Sequence, residues 1–163
     1  MDMVILKKVI EGNKYDEIEQ ILDEIVEKNY IESVSFLIQQ LETTNNHVLR
    51  NKIALTLSDM ACDDVVAPII NLLNDPKTLG YRGTLLYALS PFDYSPFADV
   101  LLGFLVTGNY EVRHNSFSLL EPIIKKIPNE LMEKYIVDIE SEIKELSDKM
   151  NFLSDALDML HEK

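Results

Sequence analysis

The chain has 163 residues, 47% of them apolar, and carries 28 acidic against 15 basic side chains for a net charge of −13. That length and apolar content suit a single folded domain with one continuous core and exclude a disordered chain. The longest apolar runs, such as 100–106, are too short to span a bilayer, and a strongly negative field repels phosphate backbones while attracting basic proteins.

The acid is unevenly placed. Residues 1–46 sum to −6, 47–107 to −2 and 108–163 to −5. The opening "MDMVILKKVIEG" has an acidic second residue, and its apolar run stops at Lys7-Lys8. This is not the pattern of a secretory signal, so the cytoplasm is the expected compartment. The lone Cys62 excludes an intramolecular disulfide and agrees with reducing surroundings.

Along the chain, apolar residues recur at helical spacing. Ile18, Ile21, Leu22, Ile25 and Val26 form one stripe, and Val34, Leu37, Ile38 and Leu41 form the next, with a break near Lys28-Asn29. Gly is scarce and no stretch alternates over strand length, so the fold class is all-α. Sliding the chain against itself by 32 places "VLRNKIALTL" (48–57) over "GYRGTLLYAL" (80–89). Arg50 then meets Arg82, Ile53 meets Leu85 and Leu57 meets Leu89. The next helix keeps the shift, with Ile69 over Leu101 and Leu73 over Leu105. A further shift of 31 takes Arg82 to Arg113 and Leu89 to Leu120.

The stretch "SPFDYSPF" (90–97) falls where one helix of this register should end and another begin. Pro91 blocks continuation, Ser95 reads as an N-cap and Pro96 as the first helical residue. Phe92 and Phe97 are expected in the core, leaving Asp93 and Tyr94 at the tip of the turn as a candidate interface anchor. The last segment places Ile136, Ile139, Ile143, Leu146, Met150, Leu153, Leu157 and Leu160 at spacings of three, four and seven. Such a stripe serves either a coiled-coil or dimer helix, or a cap over an open helical stack; the cap, over residues 137–163, is the reading taken here.

Two helices per unit, a period near 32 and an Arg at the start of each second helix ("VLR", "GYR", "EVR") resemble HEAT repeats over about 29–136. "VVAPIINLLNDP" followed by "TLGYRGTLLYAL" carries most of the likeness. The first unit departs from it, with Ile18 in place of the Arg. The resemblance implies a short right-handed α-solenoid of about four HEAT-like hairpins with atypical terminal helices, in one domain over 1–163. The arginines are then expected to serve the scaffold, pairing across the turn, as Asp75 with Arg82, or reaching an acid of the neighbouring unit.

Chemistry finds little support. His47, His114 and His161 are scattered, and no HExxH, CxxC pair or acidic calcium loop is present. Gly80 and Gly83 match no phosphate-binding loop, and no GxSxG occurs. Cys62 precedes Asp63 and Asp64, which raise a thiol's pKa and begin the next helix. His114 falls off the core stripe, on the surface. No catalytic residue, cofactor or metal is expected, and a helical-repeat enzyme acting on nucleic acid would need a basic groove instead.

The expected function is a non-catalytic binding module that holds a basic protein on the face lined by its second helices. The candidate contacts are Asn51, Asp59, Tyr87, Asp93, Tyr94 and His114. In size, charge and architecture the chain also resembles bacterial immunity proteins, which implies a cognate toxin, such as a nuclease, as partner. A scaffold or adaptor subunit is the alternative. The chain by itself is expected to be a monomer, without nucleic-acid or membrane partners.

Overall fold

The computed structural model describes residues 3–12 and 15–161. Their regular structure is entirely helical: α1 (Met3–Glu11), α2 (Tyr15–Lys28), α3 (Val34–Thr43), α4 (His47–Asp59), α5 (Val66–Asn74), α6 (Gly83–Ala88), α7 (Ala98–Thr107), α8 (Tyr110–Leu120) and α9 (Asn129–His161). The chain divides into two compact units, Met1–Phe97 and Ala98–Lys163. No helix among the described residues is long and apolar enough to cross a membrane.

The 32-residue period reappears in the backbone. Single 3-10 turns at Ile31–Ser33, Asp63–Val65 and Ser95–Phe97 lead directly into α3, α5 and α7. The two helices before the first two turns end alike. Asn29 (φ 50°) and Ala61 (φ 51°) take the left-handed conformation. Tyr30 N–H donates to Ile25 and Asn29 N–H to Val26; Cys62 N–H donates to Leu57 and Ala61 N–H to Ser58. Each is a Schellman end, which satisfies helix carbonyls that would otherwise lack partners.

In the first unit α4 packs against α2, α3 and α6, while α5 packs against α3 and α6. Leu37, Leu41, Ile53, Leu57, Ile69, Leu73, Leu85 and Leu86 are fully buried between these helices. Each such side chain stabilises the unit by roughly 1.5–3 kcal/mol. The helical stripes legible in the sequence therefore face the core. The Asn46 side chain caps α4 by accepting from the Val48 and Leu49 amides at 3.0 and 3.2 Å.

The three register-matched arginines share one role. Arg50 Nη2 donates to the Thr44 carbonyl at 2.8 Å, Arg82 Nη2 to the Asp75 carbonyl at 3.5 Å, and Arg113 Nε to the Gly108 carbonyl at 2.6 Å. Thr44 and Asp75 are the C-caps of α3 and α5, and Gly108 directly follows α7. Each guanidinium thus sits at the negative end of the helix before its own, where a cation is favoured. These carbonyls are partners that the sequence reading did not name.

In the second unit α7 packs against α8 and α9. Tyr135 is the only buried side chain of α9. Its hydroxyl donates to Asp99 Oδ1 at 3.0 Å and to the Asp99 carbonyl at 3.1 Å. Lys134 Nζ lies 3.5 Å from the same carboxylate. From Ile136 to His161 no side chain is buried. The cap expected at 137–163 is accordingly corrected: it is part of one 33-residue helix whose apolar stripe stands exposed, and Glu162 and Lys163 lie outside the described residues.

Candidate functional site

The first unit gathers carboxylates along one edge, built from the α4–α5 connection and the loop after α6. Asp59 is the last residue of α4. With Ser58, Tyr87, Ser90 and Pro91 it lines an open pocket of about 350 Å³. Tyr87 projects from α6 and is 69% exposed. The helix ends just beyond it: Ser90 N–H and Oγ both bond to the Tyr87 carbonyl, and Pro91 follows.

A second open pocket, of about 430 Å³, is lined by Asp63, Asp64, Val66, Ala67, Asp93 and Phe97. Asp63 and Asp64 begin the 3-10 turn that leads into α5, as the sequence suggested. Asp93 Oδ1 accepts from Ser95 N–H at 3.2 Å and from Ser95 Oγ at 2.6 Å. The capping acceptor of this turn is therefore Asp93, in place of the expected Ser95. Neither pocket is lined by Lys, Arg or His. No basic residue occurs anywhere in 53–76 or 83–112. Carboxylates gathered in stretches that hold no basic residue give this edge a negative potential.

Of the six candidate contacts, the structure brings Asp59 and Tyr87 into one pocket and places Asp93 in the other. Tyr94 is corrected. It is 4% exposed, and burial, with the Asp93 charge behind it, pushes its phenol pKa up. Phe92 and Tyr94 turn inward on either side of exposed Asp93, an alternation that an isolated turn signal does not display. Asn51 is half-buried and ties α4 to α6, its Nδ2 donating to Thr84 Oγ1 at 3.3 Å. His114 is exposed on α8 in the second unit, its ring nearly parallel to that of Tyr110 at 6.3 Å. Asp63, Asp64 and Phe97 join the site without having been singled out for binding. Phe97, expected in the core, is only half-buried.

Cys62, between Asp59 and Asp63 in the sequence, is half-buried; burial first, then the Asp64 and Asp63 charges, raises its thiol pKa. Among the described residues no group of three His, Cys, Asp or Glu side chains is placed to hold a metal. The second unit carries a different feature, an apolar groove of about 460 Å³ lined by Leu102, Leu105, Phe117, Leu120, Glu121 and Ile124. Chemically, the acidic edge offers hydrogen-bond acceptors, negative charge and one aromatic face, which suits cationic side chains. No family model, no curated protein and no solved structure matches the chain.

Proposed function

We propose that the chain is a non-catalytic protein-binding module, a short right-handed α-solenoid of HEAT-like hairpins, which captures a basic protein through the acidic edge of its first unit. The observation that carries this reading is the convergence of Asp59, Asp63, Asp64 and Asp93 with exposed Tyr87 and half-buried Phe97 on two turns free of basic residues. An aromatic anchor beside clustered carboxylates suits a surface rich in Lys and Arg. The repeated turn starts and the repeated arginine-to-carbonyl bonds support the solenoid.

The specific form proposed is an immunity or inhibitor protein that covers the basic active site of a bacterial toxin, with a nuclease as the fitting class. A chain of −13 associates rapidly with such a target because opposite charge steers the encounter. A gene for a small basic protein directly upstream, toxic alone and harmless when this chain is co-expressed, supports this form. Toxicity that co-expression leaves untouched contradicts it. A scaffold or adaptor subunit is the second reading; the apolar groove of the second unit favours it by offering a contact of another kind.

A further inference from the structure

We infer that α9 pairs with α9 of a second copy of this chain as an antiparallel two-stranded coiled coil. The eight apolar positions from Ile136 to Leu160 follow strictly alternating steps of three and four residues, which are the a and d places of four successive heptads. A straight helix has 3.6 residues per turn, so a stripe that keeps 3.5 stays on one line only when the helix supercoils about another. A helix lying on a globular body instead uses a broader apolar face. The seam is open: Ile143 is 61% exposed and Met150 65%, and no side chain from Ile136 to His161 is buried. Val137, Phe152 and Met159 are exposed off the seam and play no part in it.

The flanking charges identify the occupant as a second copy and set its direction. Glu142 and Lys149 occupy successive g places. In an antiparallel pair with Ile143 opposite Leu146 of the second copy, Ile136 meets Leu153 and Ile139 meets Met150. Glu142 then faces Lys149 of the second copy, and symmetry makes that ion pair twice. A parallel pair sets Glu142 against Ser147 and Lys149 against Ser154, with no ion pair at either place. The antiparallel direction also puts the α7–α8 pairs of the two copies, which adjoin the first turns of α9, at opposite ends of the coil. That separates two chains of −13 each. In this register the mutually paired seam, Ile136 to Leu153, extends over about 26 Å at 1.5 Å per residue, about two and a half heptads.

Sedimentation equilibrium on the full chain tests this. Two copies of 18.7 kDa should give a particle of about 37 kDa that persists to about 1 μM. Leu146→Glu and Leu153→Glu, made separately, should each raise the dimer dissociation constant by at least ~100-fold, because a charge enters the seam. Helical circular dichroism of each variant at high concentration should keep the native value, since no seam side chain from Ile136 to His161 is buried in the single chain. Lys149→Glu should weaken the dimer by about 3- to 10-fold, and adding Glu142→Lys should restore it. An 18.7 kDa monomer at every concentration overturns the inference, as does a dimer that survives both seam substitutions. A Lys149→Glu defect that Glu142→Lys does not rescue overturns the antiparallel register.

Discussion

Arg50 Nη2 donates to the Thr44 carbonyl at 2.8 Å from a side chain that is 1% exposed, while its Nε and Nη1 are buried without a partner among the described residues. One charge-assisted bond at a helix end is thus set against the desolvation of a whole guanidinium. Burial lowers the Arg50 pKa, and the Asp75 carboxylate offsets part of that. Arg50→Ala should cost about 2–4 kcal/mol in urea unfolding, since it empties the site and frees the carbonyl. Arg50→Met fills most of the volume without the buried charge and should recover at least half of that loss. Equal losses in the two variants would mean that the bond to Thr44 outweighs desolvation.

Ala61 takes a left-handed conformation, at φ 51°, to close the Schellman end of α4. A side chain there costs about 1 kcal/mol that glycine does not pay. Ala61→Gly should therefore stabilise the first unit by about 0.5–1 kcal/mol, read as a higher urea midpoint with an unchanged slope. At the third copy of this register the chain has Asp93, which uses its side chain to form the turn instead. A lower midpoint in Ala61→Gly would show that the entropy of the unfolded glycine dominates.

Tyr94 and Tyr135 both have raised phenol pKa values, each chiefly through burial. For Tyr135 the hydroxyl bond to Asp99 adds to the rise. An acid whose folded pKa is raised contributes stability that is present below its unfolded pKa and is lost as pH climbs through the folded value. The unfolded value for tyrosine is about 10, so the loss should begin above pH ~10. Ultraviolet titration should show two of the seven tyrosines ionising after the others. Tyr94→Phe and Tyr135→Phe should each remove one late component, and Tyr135→Phe should cost about 1 kcal/mol from the lost bond. Tyrosines that titrate together would contradict the burial of both rings.

Cys62 should react slowly with iodoacetamide at neutral pH, because burial and two neighbouring carboxylates hold its thiol protonated. Asp63→Asn with Asp64→Asn should speed labelling by only a few-fold, since burial is the larger cause. Labelling of the native chain at the rate of a free thiol would show that Cys62 is not protected.

The parts of this fold that sequence displays are those with a period. Ile53 and Leu85 or Ile69 and Leu101 stand one repeat apart, and each pair occupies equivalent buried places. The arginine register was legible too, though its partners were not, since a backbone carbonyl leaves no trace in residue identity. Asp59 and Tyr87 share a pocket because α4 and α6 pack side by side, as the repeat implies. The burial of Tyr94 is not legible because a turn signal does not fix which side chains point inward; here Phe92 and Tyr94 turn in on either side of Asp93, whose carboxylate accepts from Ser95. The exposure of α9 could not be read from its stripe, which looks the same whether another helix or the chain itself covers it.

The most direct measurement of the central claim is capture from the native host at low salt. Tagged chain and the quadruple variant Asp59→Asn, Asp63→Asn, Asp64→Asn, Asp93→Asn would be compared, with bound proteins identified by mass spectrometry. The expected result is one basic protein held near stoichiometrically by the native chain, released at about 0.5 M salt as screening shortens the Debye length, and absent from the variant. Equal capture by the variant, or capture indifferent to salt, would contradict binding through the acidic edge.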